Sequence, residues 1–187
     1  MKQYISDFLK LNCASDMLEL KLFPRNNICK EITESQAAYH AVKNHLLKQC
    51  DISLNDPNNV LIAVGDGNTP RTAALFAFRS KWKCFSVDPR LKEEYYPIKR
   101  LSACCKKIED CFFGFQDGKW GHVIVVLVHN HAPMKAILGS IKAKPGKLHI
   151  VAIPCCVPQN IPGKTYIGYT DVNIWSPKNE VRIWQNL

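Results

Sequence analysis

Short apolar runs alternate along this chain with stretches whose apolar residues recur at helical spacing. Runs over 60–64, 84–87, 122–128 and 148–153 read as strands, with 101–105 a shorter candidate. The run over 122–128 is apolar on both faces, as a central parallel strand must be. Over 33–48, Ala37, Ala41, Val42, Leu46 and Leu47 share one face, and Thr33 followed by Gln36 reads as a capping box. A second helix is expected from a Thr69 cap and Pro70 to about Ser80. Others are expected over 108–115 and 134–141. Residues 166–169 and 181–184 read as two last strands. "DISLNDPNN", "QDGKWG" and "KAKPGK" carry turn chemistry between the elements.

Strands alternating with helical segments imply an α/β architecture, a mostly parallel sheet covered on both faces. At 187 residues the chain suits one domain with a full core. The expected layout is an N-terminal helical segment over about 1–55 and a core sheet over about 58–187. No apolar run is long enough to span a bilayer. The first twelve residues lack an uninterrupted apolar core and a cleavage site, so they read as part of the fold. Nine cysteines, an odd number with no CxxC spacing, argue against a disulfide framework and for mostly buried, reduced thiols in a cytoplasmic setting.

The stretch "VLIAVGDGNTPR" runs a strand through a glycine turn into a helix, and "KCFSVDP" ends the next strand in Asp88. A phosphate-cradling Walker loop would need GxxxxGK and is absent. A dinucleotide fingerprint would need a third glycine where Pro70 stands, which disfavours NAD. A ligand without phosphates asks less. Gly65 and Gly67 let a backbone pass close by, and an acid about twenty residues on can accept bonds from ribose hydroxyls.

On those residues the chain resembles the class I S-adenosylmethionine-dependent methyltransferases. "AVGDGNTPRTAALFAFR" looks like their first motif and "SVDP" like their second. "VGDGN" and "IPCC" are similar to stretches of RNA methyltransferase-like subgroups. The resemblance covers about 33–153. It implies a Rossmann-like sheet whose last strand inserts antiparallel to the rest. It also implies S-adenosylmethionine as cofactor, held by Gly65, Asp66, Gly67, Asn68 and Asp88, with Glu109 and Asp110 bordering the adenine. Two departures stand out. The acid that usually opens the first motif is Ala63 here, with Asp66 a stand-in for it. The strand-four signature is replaced by "VHNHAPM", in which Asn130 takes the place of the expected Asn.

His129, Asn130 and His131 stand at the carboxyl end of the central strand, where open α/β sheets bind ligands, and they are the expected catalytic residues. The rival reading is a pair of loop histidines bonded to backbone carbonyls. Cys155 and Cys156 end strand five. They read as thiols lining a pocket rather than as a pyrimidine-attacking nucleophile, which would need an activated thiolate. His129, His131, Cys155 and Cys156 would make a zinc set by residue type, but the missing CxxC spacing and the poor bite of adjacent cysteines argue against it, so no metal is expected. "EEYYPIKR" mixes aromatic and basic residues, as a base-stacking surface does and as a core-packed loop also does. The four tryptophans read as core or edge packing.

The net charge of +9, concentrated over 79–107 and 135–147, favours an anionic partner, RNA first. The expected function is methyl transfer from S-adenosylmethionine to RNA. The alternative is an inactive module of the same fold that binds RNA or a partner protein through its basic surface.

Overall fold

A computed structural model describes residues 2–92, 96–115, 119–157 and 159–187. The elements in chain order are α1 (Gln3–Leu9), α2 (Ala14–Glu19), α3 (Ile28–Ala41), α4 (Leu47–Gln49), β1 (Val60–Val64), α5 (Arg71–Arg79), β2 (Lys83–Val87), β3 (Leu101–Cys104), β4 (Phe113–Phe115), β5 (Val123–Val128), α6 (Met134–Ser140), β6 (Ile141–Ala143), β7 (Leu148–Ile153), β8 (Ile167–Thr170) and β9 (Glu180–Trp184). Seven strands form one sheet in the order β3-β2-β1-β5-β7-β9-β8. Neighbouring strands from β3 to β7 pair in parallel. The last strand, β9, lies between β7 and β8 and is antiparallel to both. This is the mostly parallel sheet expected from the alternating elements, with the inserted antiparallel final strand that the family resemblance implied.

Period-two alternation divides each central strand between two cores. Leu61, Ala63, Ile124, Val126, Val128, Val151 and Ile153 face one core, which α1, α2, α3 and α5 cover. Val60, Ile62, Val64, Val125, Leu127, Ile150 and Ala152 face the other, closed by Met134, Ile137, Ile108, Phe115 and Trp184. Every residue of β1, β5 and β7 is buried, which is why these stretches read as apolar runs, interrupted only by His149 in β7.

Four local expectations change. Helix α3 begins at Ile28, so Thr33 is not a cap. Its hydroxyl donates to the Lys30 carbonyl and accepts the Trp175 N–H, tying the helix to the C-terminal segment. A π turn over Val42–Leu46 then carries the helix on into α4. The helix expected over 108–115 is a 3-10 turn at Ile108–Asp110 followed by β4, which pairs in parallel with β6. Alternate aromatics drive this: Phe113 packs edge-on against Phe85, and Phe115 against Trp120. The thiols are less buried than expected, because only Cys13 and Cys84 are fully inside while Cys105 and Cys156 are exposed. Trp82 and Trp184 are core residues, whereas Trp175 is exposed. Residues 93–95 of "EEYYPIKR" and 116–118 of "QDGKWG" lie outside the described residues.

At the amino end of the sheet, His149 on β7 is fully buried, with its Nε2 2.8 Å from Nδ1 of His122. The Lys147 ammonium lies 3.0 Å from His122 Nε2 and opposes a second positive charge beside it. Burial, then the charges of His122 and Lys147, hold His149 down to about 4. His122 is also lowered, by burial first and then by Lys147, against the pull of Asp51 and Asp56. A histidine that resists protonation in the fold takes up its proton in the unfolded chain at about 6.5. The unfolded state therefore binds more protons between pH 6.5 and 4, and stability falls as pH drops through that window. The expected loss is on the order of 2–3 kcal/mol. Urea unfolding at pH 7.0 and at pH values down to about 4 measures it. A flat profile over that range in wild type, or a step that persists in His149→Gln, would remove the pair as its cause.

Candidate functional site

The carboxyl ends of β1, β2 and β5 open onto a cleft of about 410 Å³. That volume lies within the range of small-molecule sites. Its walls are Val64 and Gly65 after β1, Val87 to Arg90 after β2, Lys107 to Glu109 from the 3-10 turn, and His129 to Pro133 after β5. The fold places the cleft where parallel strands point their carboxyl ends outward and the chain leaves β1 and β5 in opposite directions across the sheet.

Gly65 takes φ +78°, a left-handed conformation that glycine adopts without steric cost. A Cβ there would stand 3.0 Å from the Asn130 Cα and 2.9 Å from its side-chain oxygen. The turn after β1 thus presses directly on the loop after β5, leaving bare backbone in the wall. Gly67 is left-handed too, at φ +84°, and its N–H donates to the Asp88 carboxylate at 2.9 Å. The Arg90 N–H donates to the other carboxylate oxygen at 2.8 Å. Asp88 is only 3% exposed, so the backbone fixes an anionic group in the cleft wall. The Arg90 Nε–H also reaches that second oxygen, at 3.4 Å, so the oxygen bonded to Gly67 is the one that keeps a lone pair for a further donor.

Asp66 stands elsewhere. Its carboxylate accepts the N–H groups of Thr72 and Ala73 at 3.0 and 3.1 Å and the Ser86 hydroxyl at 3.0 Å. It caps α5 from a loop five residues earlier and also complements the helix dipole. The expected cap, Thr69, instead donates to the Leu22 carbonyl. Asp66, Gly67, Asn68 and Asp110 are not among the walls of the cleft, while Gly65, Asp88, Glu109, His129, Asn130 and His131 are.

The loop after β5 is tightly held. His129 sits at φ +49°, and its N–H bonds the Ile153 carbonyl. Its Nε2 lies 2.5 Å from a carboxylate oxygen of Glu34, which is buried on α3. Burial disfavours the imidazolium, but the bond to Glu34 and its charge outweigh this, so the His129 pKa is raised. The bond to Glu34 favours the protonated form and occupies the Nε2 that a general base would use. The Asn130 amide closes a small ring with Ala132, donating to its carbonyl and accepting its N–H, both at 3.1 Å. Gln159 donates to the Asn130 carbonyl from below. Asn130 therefore shapes the wall, and His131 is the exposed residue of the three.

Beside them, Cys155 carries the most activated thiol. Burial raises it, but the N–H groups of Cys156 and Val157, the Cys156 thiol and His129 together bring it down to about 6. Glu34, His129 and Cys155 form a chain of contacts from the core to the surface. Glu34 escaped sequence reasoning, because it sits among the residues of a buried helix face with no motif around it. Arg90 escaped too, although "DPR" places a cation two residues after the acid.

No protein-family model matches the chain, and no curated protein sequence matches it. Solved structures do match. A single-residue variant of MtNAS in complex with S-adenosylmethionine is similar over 99% of this chain and 71% of its own, with TM-score 0.51 and 11% identity. A SAM-dependent methyltransferase from Aquifex aeolicus matches over 82% of this chain and 98% of its own, with TM-score 0.45 and 14% identity. The first likeness speaks to the fold alone. Together with the strand order and the antiparallel β9, it gives this chain the class I methyltransferase fold.

Proposed function

We propose that the cleft binds S-adenosylmethionine and that the protein transfers its methyl group to an anionic acceptor, RNA in the first instance. The observation that carries the reading is the buried Asp88 carboxylate. It is pinned by the Gly67 and Arg90 N–H groups in a cleft wall that Gly65 leaves bare. A ribose diol needs such a paired acceptor, and the methionine arm needs close backbone approach. The donor set fits the ligand: a carboxylate for the hydroxyls, apolar Val64, Val87 and Ile108 for the adenine, and Glu109 at its edge. Bound there, S-adenosylmethionine would supply an electrophilic methyl on a sulfonium.

The chain's own residues position and exclude. Asn130, locked to Ala132, fixes the wall beneath the acceptor. His129, its Nε2 held by Glu34, stands at the same end, and that bond favours its protonated form. Positioning of this kind is the main lever for an in-line displacement. Support for an anionic acceptor comes from the net charge of +9 and from Arg90 and Lys107 in the cleft walls. The MtNAS variant, one of the structural neighbours, was crystallised with S-adenosylmethionine.

The test is calorimetric titration of the full chain with S-adenosylmethionine, with NAD as the control. Saturable binding of S-adenosylmethionine alone is expected. Transfer of radiolabelled methyl into a total RNA pool would then extend the reading to its acceptor. No heat with S-adenosylmethionine would overturn the proposal and leave the inactive module, whose basic surface would still bind RNA in a filter assay.

A further inference from the structure

We infer that His131, Cys155 and Cys156 form a site for a soft divalent transition metal of the zinc class, at the rim of the cleft. The site is independent of the proposed cofactor.

Strands β5 and β7 are parallel neighbours, with Val128 beside Ile153. Their exit loops therefore leave the sheet side by side, one carrying His131 and the other Cys155 and Cys156. Adjacent residues in extended chain point to opposite sides. The chain bends at 155–157 instead, and the bend turns both thiols the same way, with their sulfurs 3.5 Å apart. Cys156 Sγ is also 3.5 Å from His131 Nε2, and the three donor atoms all lie within 4.8 Å of one another. In tetrahedral zinc coordination, with Zn–S about 2.3 Å and Zn–N about 2.0–2.1 Å, two sulfurs stand about 3.8 Å apart and sulfur and nitrogen about 3.6 Å. The two edges that meet at Cys156, both 3.5 Å, are close to that size. The poor bite expected of adjacent cysteines is removed by the bend.

The chemistry of the set narrows the ion. Two thiolates and an imidazole select zinc-like metals over magnesium or calcium, which prefer oxygen donors. Three protein ligands leave a fourth position for water or another ligand, the arrangement of open zinc sites. His129, which the sequence grouped with these residues, is set one layer back. Its Nε2 is taken by Glu34, and it touches Cys155, as outer partners do when they orient a ligating sulfur. His131 also walls the large cleft, while Cys155 and Cys156 wall a neighbouring hollow with Pro177 and Arg182, so the ion would sit between the two.

The experiment titrates metal-stripped full chain with Co(II) in a non-thiol reductant, following the thiolate-to-cobalt charge-transfer absorption. One equivalent of Co(II) is expected to produce the band, and Zn(II) should bleach it. Cys156→Ser and His131→Ala should each weaken Co(II) binding at least about tenfold. Both residues are exposed, so unchanged thermal unfolding of the metal-free variants will show that the fold is intact. Cys105→Ser, at an exposed thiol on another loop, should leave the titration unaltered. Absence of the band at one equivalent overturns the inference. So does a band that survives Cys155→Ser/Cys156→Ser, or one lost in Cys104→Ser/Cys111→Ser, since those two sulfurs lie 3.7 Å apart and would then be the site.

Discussion

Replacing Asp66 with Ala is expected to lower the stability of the fold by about 3 kcal/mol, the largest loss from any single acid near the cleft. The carboxylate is 2% exposed and holds three donors: the Thr72 and Ala73 N–H groups and the Ser86 hydroxyl. Ala would leave all three without their acceptor at a buried helix end, where water cannot easily replace it. A cap alone accounts for about 1 kcal/mol, and bonds to a charged acceptor for about 1.5–3 kcal/mol. At about 2–4 °C per kcal/mol for a chain of this size, the melting temperature should fall by roughly 6–12 °C. Asp66→Asn, which keeps one acceptor oxygen, should fall between the two. If Asp66→Ala melted like wild type yet lost S-adenosylmethionine binding, the carboxylate would belong to the ligand. It would then be the stand-in for the acid missing at Ala63.

Asp88→Asn should do the opposite, with a large loss of binding and a small loss of stability. Asn keeps the size of the side chain and one oxygen for the Gly67 or Arg90 N–H, so the turn should hold. It gives up the second acceptor oxygen and the charge that a ribose diol would use. Losing charged acceptors to two hydroxyls costs about 2–3 kcal/mol, or about 30- to 150-fold in the dissociation constant for S-adenosylmethionine. Calorimetry on both variants separates the two acids in one experiment. Wild-type affinity in Asp88→Asn would move the ribose away from β2 and dismantle the assignment of the cleft.

These two acids, twenty-two residues apart, show where sequence reasoning succeeded. The strand ends at Val64 and Val87 were legible because buried parallel strands must be apolar on both faces. Gly65 and Asp88 follow those ends directly, so their place at the cleft was legible with them. Asp66 was legible as an acid in the turn, but its direction was not. Nothing local distinguishes a carboxylate facing a ligand from one folded back onto the next helix. That choice rests on the Ser86 hydroxyl and the α5 N–H groups, which only chain folding brings together.

The same division runs through the rest of the molecule. Periodicity alone determined the α/β class, the central strands and the presence of two C-terminal strands, because local burial patterns impose them. Composition determined the basic balance. Tertiary structure decided that Thr33 joins α3 to Trp175 and that Phe113 and Phe115 extend into a strand. It also set Glu34 beneath His129 and turned Cys155 and Cys156 toward His131. Each of these depends on partners distant in the chain, whose positions follow from sheet order and helix packing rather than from the neighbours of the residue itself.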